Sequence, residues 1–235
     1  MRTRITFLCM FLFLPLTAAA QSSADISKQI WIDVNPHYYL NSESKVYGDI
    51  GLRRELENSG WWRLVVRPSY RTWLGGRFYF SAGLGNFFTF NEIINDRWEI
   101  RPFQGLQFNW PQWKTPLNHF IRLEERFDFN LKTWNAQNSA RIRYRMGISY
   151  RWAAYQPGRF WETTASVEAF YTFAGEQGQF QERARATIGL DRSFDREVHL
   201  RFEVTWQQER LFFDPKQSVS DIYFRLRFTQ SWGNQ

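Results

Sequence analysis

Cysteine is almost absent from this chain, and lysine and histidine are scarce. Its one cysteine is Cys9, near the start, and the 235 residues include three histidines. A fold built on disulfides is therefore excluded, and no clustered His or Cys spacing suits a metal. We predict neither a metal nor a cofactor. The basic residues comprise 25 Arg and only 5 Lys, which favours packed ion pairs, because the planar guanidinium holds two carboxylates while partly desolvated.

A long apolar run is also missing after the first 16 residues. A spanning helix needs about 20 apolar residues, and the mean hydropathy of the chain is −0.52. These values exclude a helical membrane bundle. They are compatible with a membrane barrel, in which only alternate residues meet lipid.

The first 20 residues have the pattern of a secretory signal peptide. Arg2 and Arg4 precede an apolar stretch at 5–16, and small residues follow it. This run is too short for a membrane anchor. We expect residues 1–20 to be removed and residues 21–235 to form one domain, since no linker divides them.

The remainder of the chain alternates apolar and polar residues. In the segment 120–132, one face carries the apolar residues Ile121, Leu123, Phe127, Phe129 and Leu131. The other face carries the polar and charged residues Arg122, Glu124, Arg126, Asp128, Asn130 and Lys132. A period of two indicates a β-strand, because successive side chains point to opposite faces of a sheet.

Eleven segments show this alternation, most of them 12 to 15 residues long. They are 28–40, 45–54, 61–73, 77–91, 97–110, 118–132, 138–152, 159–173, 180–192, 197–209 and 219–232. Strands of soluble proteins usually have about 5 or 6 residues. Bacterial barrels close with an even number of strands, and Pro36 and Gly48 weaken the first two segments. We therefore predict ten to twelve strands.

Tryptophan lies at the ends of the apolar faces rather than in their middles. Trp98 and Trp110 are separated by roughly 40 Å of extended chain, which projects to about 28 Å at a tilt of about 45°. That distance matches an apolar band between two aromatic girdles. The predicted girdle residues are Trp62, Trp98, Trp110, Trp152, Trp161, Trp206 and Trp232.

The predicted fold is all-β: an antiparallel transmembrane β-barrel with an apolar exterior facing lipid and an Arg/Glu-rich lumen. Its expected location is the bacterial outer membrane, reached by secretion across the inner membrane. The short connections, such as 74–76, are expected to be periplasmic turns, and the longer ones to be outward loops. The expected partners are outer-membrane lipid and, during biogenesis, the barrel assembly machinery.

The polar face predicts a ladder of charges inside the barrel. Its residues are Arg63, Arg67, Arg101, Arg122, Glu124, Arg126, Asp128, Arg141, Arg143, Arg145, Glu162, Glu168, Arg183, Arg185, Arg201, Glu203, Arg225 and Arg227. They can pair across strands and fill a narrow lumen, since buried charges must be paired. They can also line a small pore that prefers anions.

Catalysis has little support in the sequence, and no catalytic residue is predicted. An enzyme acting on lipid or peptide would draw on His199 with Ser166, Thr187 or Thr205, or on a carboxylate pair such as Glu124 with Glu162. Nothing in their spacing selects such a site. Nucleic acid is not an expected partner despite the pI near 9.7, because the arginines alternate with apolar residues.

Several motifs resemble a known family. They are Glu99-Ile100-Arg101-Pro102, the segment 119–127, Arg141-Ile142-Arg143-Tyr144-Arg145 and Gly51-Leu52-Arg53. The chain resembles the outer-membrane barrels catalogued as domain of unknown function 2490. The resemblance implies an outer-membrane barrel over nearly the whole chain and no particular reaction or ligand. The segment 228–232 is also similar to the aromatic-terminated last strand used by barrel assembly machinery.

Three hypotheses follow for the function. The first is an outer-membrane barrel that is structural or a narrow polar, anion-preferring conduit. The second is an outer-membrane enzyme with His199 in its site. The third is a soluble periplasmic ligand-binding barrel of lipocalin type, whose apolar face would turn inward.

Overall fold

The computed structural model describes most of the chain after residue 25. The described residues are 26–56, 60–92, 95–111, 117–156, 158–175, 183–210 and 218–233. The predicted signal peptide at 1–20 lies outside them. Within this part of the chain, no helix is long and apolar enough to cross a membrane.

The described residues form eleven strands that close into one barrel. Strands β1 to β11 comprise Ile26–Tyr39, Ser44–Glu55, Trp62–Gly75, Phe78–Phe90, Arg97–Asn109, Asn118–Asn130, Ala136–Gln156, Arg159–Gly175, Arg183–Ser193, Val198–Arg210 and Ser218–Gly233. Each strand pairs with its neighbours in sequence, and β1 pairs with β11. The predicted eleven segments coincide with these strands to within a few residues, except where β7 runs on to Gln156.

The eleven strands lie within the predicted range of ten to twelve, but their number is odd rather than even, and the barrel is not antiparallel throughout. All eleven segments are wall strands, and β1 and β11 run parallel over residues 26–39 and 220–233. This pairing follows from the topology, because an odd number of strands joined up and down gives the first and last strands the same direction. Every other pair is antiparallel.

The proline in β1 is accommodated by a side chain. The β1–β2 ladder passes from Val34↔Ile50 directly to His37↔Tyr47, and Pro36, which lacks an N–H donor, lies in this gap. The side-chain amide of Asn35 donates to the Gly48 carbonyl at 2.9 Å. The side chain thus restores a cross-strand hydrogen bond, and β1 continues as a full wall strand.

Side chains fasten the parallel seam from inside the barrel. The rings of Trp31 on β1 and Tyr223 on β11 stack with centroids 3.9 Å apart. Asp33 on β1 forms an ion pair with Arg225 on β11. An aromatic pair contributes about 0.5–1.5 kcal/mol beyond its buried area, so the seam is held by more than its backbone ladder.

The two rims of the barrel differ in their connections. We call the rim where β1 ends the turn rim and the rim where β1 begins the loop rim. Four of the five connections at the turn rim have 2 to 4 residues, whereas those at the loop rim have 5 to 7. In the β3–β4 turn, Gly75 and Gly76 have φ of 105° and 57°, a region that glycine enters at little cost.

The β9–β10 turn is held by one carboxylate. The backbone N–H groups of Glu197 and Val198 donate to Oδ1 of Asp195 at 2.8 and 2.7 Å. These hydrogen bonds hold the pKa of the Asp195 carboxyl below its usual value, because they favour the charged form.

The barrel is apolar outside and charged inside, as the alternation predicts. On the exterior, the apolar side chains of Ile32 and Ile188 are 53% and 58% exposed. On the interior, Glu124 and Asp33 are 0% and 1% exposed. The third hypothesis, a lipocalin-type barrel, is therefore wrong in requiring the apolar face of the strands to turn inward.

The parallel seam can be tested with paired cysteines. Ile32 and Leu226 are register partners on the exterior, so Ile32→Cys with Leu226→Cys should cross-link efficiently with a short bifunctional thiol reagent. Gel migration of the denatured chain reads out the closed loop.

The matched control is Ile26→Cys with Leu226→Cys, in which the first cysteine moves six residues, or about 20 Å, along the strand. Cross-linking of the control pair in preference to the test pair would show that the parallel register is wrong.

Candidate functional site

One carboxylate at mid-height of the barrel contacts four arginines. Glu124, in the middle of β6, is fully buried. Its oxygens lie 2.6 Å from Arg122 and 2.6 Å from Arg141. Arg143 lies at 3.1 Å and Arg101 at 3.8 Å. Because three neighbouring strands, β5 to β7, supply these side chains, Glu124 ties one side of the barrel wall together from within.

Two further carboxylates share the same arginines. Glu99 accepts from Arg101 at 2.5 Å and from Arg126 at 2.7 Å. Glu168 on β8 lies 2.5 Å from Arg143. The network therefore extends from β5 to β8, and Arg101 and Arg143 each join two carboxylates.

The opposite side of the interior has the reverse arrangement, one arginine among three carboxylates. Arg225 on β11 forms an ion pair with Asp33 and lies 3.7 Å from Glu203 and 3.9 Å from Asp49. Asp49 is also paired with Arg67. The contacts of Arg225 connect β10, β11, β1 and β2 from inside the barrel.

Aromatic rings fill the space between the charges. Five inward aromatic residues are at most 7% exposed: Trp31, Phe87, Phe103, Phe170 and Tyr223. Guanidinium groups lie over these rings. The Arg53 guanidinium is 3.8 Å from the centroid of the Trp31 ring, and the Arg101 guanidinium is 4.2 Å from the centroid of the Phe87 ring. Such cation–π contacts are worth about 0.5–2 kcal/mol each. We call the buried carboxylates, their arginines and these rings the central layer.

Inward glycines make room for the rings. A Cβ atom on Gly83 would lie 2.6 Å from the Phe103 ring, and one on Gly85 would lie 2.7 Å from the Phe87 ring. Gly83-Leu84-Gly85 is therefore a packing motif.

Three chambers lined by residues in the described part of the chain adjoin the central layer. The large chamber, about 800 Å³, opens toward the turn rim between β5 and β11. The basic chamber, about 290 Å³, lies toward the same rim beside β1 to β4. The loop-rim chamber measures about 240 Å³. Neighbouring chambers share lining arginines. Arg145 and Arg227 line both the large chamber and the basic chamber, and Arg101 and Arg141 line both the basic chamber and the loop-rim chamber.

Twelve basic residues and a single acidic one, Asp49, line the basic chamber. Seven basic and three acidic residues line the large chamber. The excess of positive charge toward the turn rim can attract anions, because low-dielectric walls focus the field of the charges they carry.

The predicted ladder residues lie inside the barrel, and most are paired. Fifteen of them form ion pairs within 4 Å: Arg67, Arg101, Arg122, Glu124, Arg126, Asp128, Arg141, Arg143, Glu162, Glu168, Arg185, Arg201, Glu203, Arg225 and Arg227. Arg63 instead donates to Thr89 at 2.6 Å, and Arg145 lies 5.4 Å from the centroid of the Phe120 ring. Arg183 lines the loop-rim chamber.

Sequence reasoning missed the contribution of the first two strands and of the inward aromatics. Asp33, Asn35 and Asp49 are all buried, yet they lie in segments that proline and glycine made look weak. The available signal was the strict alternation Trp31-Ile32-Asp33-Val34-Asn35. Aromatic residues on the polar parity, such as Phe103 and Phe170, were a second signal.

The predicted girdle tryptophans lie on the exterior near the two rims. Trp62, Trp98 and Trp206 are nearer the loop rim, and Trp110, Trp152, Trp161 and Trp232 are at the turn rim. Several stack on neighbours, as Trp62 does on Phe90 with centroids 4.1 Å apart. These contacts order the rings along the barrel wall.

The residues weighed for catalysis do not assemble into a site. His199 contacts Asp191 at 3.4 Å, but Thr205 lies six residues further along the same strand, about 20 Å away. Thr187 is the register partner of Thr205, and their hydroxyl groups are 2.8 Å apart. Ser166 is in turn the register partner of Thr187, so it lies at the same level of the barrel as these two residues. Nor do the described residues contain a group of three or more His, Cys, Asp or Glu suited to a metal ion.

Removing the Glu124 charge should destabilise the barrel strongly. Glu124→Gln leaves four arginines around a neutral amide, and breaking a buried pair in this way costs about 3–5 kcal/mol. The control is Glu162→Gln, since Glu162 lies 3.7 Å from a half-exposed Arg151 and such a pair contributes about 0–1 kcal/mol. Urea unfolding in detergent micelles measures both. Equal midpoints for the two variants would contradict the central role of Glu124.

One comparison places the chain in a family. No curated protein and no solved structure matches the chain. A family model described as "Protein of unknown function (DUF2490)" matches residues 28–231, a range that begins in β1 and ends in β11. The motifs from which this resemblance was predicted lie on the wall strands and contribute Glu99, Arg101, Glu124 and Arg141 to the central layer. The chain therefore belongs to the DUF2490 family of proteins of unknown function.

Proposed function

We propose that this protein spans the bacterial outer membrane as a β-barrel. The continuous apolar exterior supports the proposal: side chains such as Ile188, Phe202 and Leu226 are 58%, 46% and 42% exposed. Strands of 13 residues measure roughly 43 Å, or about 30 Å at a tilt of about 45°. This height matches the hydrocarbon core, and the two groups of tryptophans lie where the interfaces would be.

The interior then serves as a narrow conduit that prefers anions. The observation that carries this proposal is the surplus of cations around the basic chamber, of which Lys45, Arg53, Arg71 and Arg145 have no carboxylate within 4 Å among the described residues. The large chamber gives access from the turn rim, and arginines shared between chambers form a path toward the loop rim. Passage is slow, because the central layer is packed and a solute must displace guanidinium groups held by carboxylates.

A structural role is the second candidate. The central layer favours it, since Glu124, Asp33 and Val65 are at most 1% exposed and pack the middle of the lumen. In this role the charges would brace the wall and carry no solute. Electrical measurements distinguish the two candidates.

Membrane insertion predicts a strong position dependence for an arginine on the exterior. Ile188→Arg, at the middle of β9, should cost about 2–4 kcal/mol of stability in lipid vesicles, whereas Leu74→Arg at the turn rim should cost about 0–1 kcal/mol. Unfolding in denaturant, followed by tryptophan fluorescence, measures both. If Ile188→Arg is as stable as the wild type, its face does not contact lipid.

Conduction predicts small current steps that favour anions. In a planar bilayer with a potassium chloride gradient, the reversal potential should indicate chloride selectivity, and Arg145→Glu should reduce it because Arg145 lines two chambers. Lys132→Glu, in the exposed β6–β7 connection, changes the charge by the same amount and should have little effect.

A barrel that inserts and passes no current would overturn the conduit and leave the structural role. Cation selectivity would overturn the anion preference itself.

A further inference from the structure

Basic residues face each other directly across neighbouring strands at four places in the described interior. The register partners are Arg53 with Arg63, Lys45 with Arg71, Arg122 with Arg143, and Arg201 with Arg227. Like charges directly opposite on a sheet are destabilising. Each pair therefore needs a neutralising group nearby.

Two of these pairs are bridged by a carboxylate of the chain itself. Glu124 lies 2.6 Å from Arg122 and 3.1 Å from the arginine opposite it. Glu203 lies 3.9 Å from Arg201 and 3.5 Å from its partner. In both pairs, one carboxylate lies within ion-pair distance of two cations on adjacent strands.

The Arg53 pair is accommodated by an aromatic ring and a hydroxyl group. The Arg53 guanidinium lies 3.8 Å above the Trp31 ring centroid, and Arg63 donates to Thr89 at 2.6 Å. Two carboxylates, those of Glu99 and Asp128, also line the adjoining loop-rim chamber.

The pair of Lys45 and Arg71 has aromatic rings beside it but, in the part of the chain that the structure describes, no carboxylate: Lys45 Nζ lies 5.1 Å from the Tyr39 ring centroid. Among the described residues, no carboxylate lies within 4 Å of either side chain. Lys45 Nζ donates to Nδ1 of His37 at 3.4 Å, and the Arg71 guanidinium lies 4.0 Å from the Tyr79 centroid. Nε of Arg71 is buried and has no acceptor among the described residues, as is also true of Nε of one arginine in each of the other three pairs. What distinguishes this pair is that two cations face each other beside a chamber with no described carboxylate within 4 Å of either, which indicates room for an anion.

The surroundings of this pair suit an oxyanion. Lys45 and Arg71 line the basic chamber, whose one lining carboxylate, Asp49, is already engaged by Arg67 and by Asn35. Hydroxyl groups line the same chamber and can donate hydrogen bonds: Tyr47, Ser69 and Ser81. A group with several oxygen acceptors can use both charges and these donors at once.

We propose that Lys45 and Arg71 form a binding site for a phosphate-type oxyanion, which bridges them as Glu124 bridges its arginines. The site rests on the proposed anion preference of the interior, but it requires neither conduction nor membrane insertion. The group is carried either by a free solute or by a lipid headgroup that enters at the turn rim, where Lys45 is the second residue of β2.

Calorimetric titration of the refolded chain in zwitterionic detergent tests the site. Inorganic phosphate is titrated at constant ionic strength, with chloride as the reference. Lys45→Gln and Arg71→Gln should each weaken phosphate binding by roughly tenfold or more, since a charged hydrogen bond contributes about 1.5–3 kcal/mol. Lys45→Arg keeps the charge and should retain binding. Lys132→Gln, at the loop rim, removes one positive charge elsewhere and should bind as the wild type does.

A second arm identifies the source of the oxyanion. Phosphatidic acid or uncharged diacylglycerol is added to the same micelles, and thermal unfolding is followed. Binding of inorganic phosphate supports a free solute. Stabilisation by phosphatidic acid alone, lost in Lys45→Gln, supports a headgroup.

Absence of both effects overturns the site, as does equal binding by Lys45→Gln and the wild type. Phosphate binding by a barrel that passes no current would leave the site intact while overturning the conduit.

Discussion

The fold depends on the neutralisation of arginines in a confined interior, and Glu124 is where this constraint is sharpest. A carboxylate with no exposed surface has lost its hydration, and four arginines around it would repel one another without it. Its ion pairs reach from β5 to β7, and Glu99 and Glu168 carry the network further. The barrel wall is therefore braced from inside by charge, while the rings of the central layer exclude water and strengthen each ion pair.

The same constraint explains why the interior is asymmetric. Around Glu124 one anion holds several cations, and around Arg225 one cation holds several anions. On β2 and β3, the cations Lys45 and Arg71 have no carboxylate within 4 Å among the described residues. Packing and a surplus of cations thus coexist in one lumen.

The period of the sequence was sufficient to predict the strands and the face of each side chain, because a single strand determines which residues share a face. The ladder from Arg63 to Arg227 was predictable for this reason. The parallel seam was not, since it depends on the exact strand count, and Pro36 obscured β1. Nor could the sequence show that Glu124 gathers four arginines. The register between strands decides which residues are partners. The alternation cannot fix this register, because a shift by two residues leaves every side chain on the same face.

The most direct test of the account is a double-mutant cycle between Glu124 and Arg141. Unfolding free energies are measured in one detergent for Glu124→Gln, Arg141→Gln and the double variant. If Glu124 neutralises the arginine cluster, the two changes are strongly coupled, by about 1–3 kcal/mol, and the double variant is no less stable than Glu124→Gln. Additive losses would contradict the account, because the two side chains would then contribute to the barrel independently.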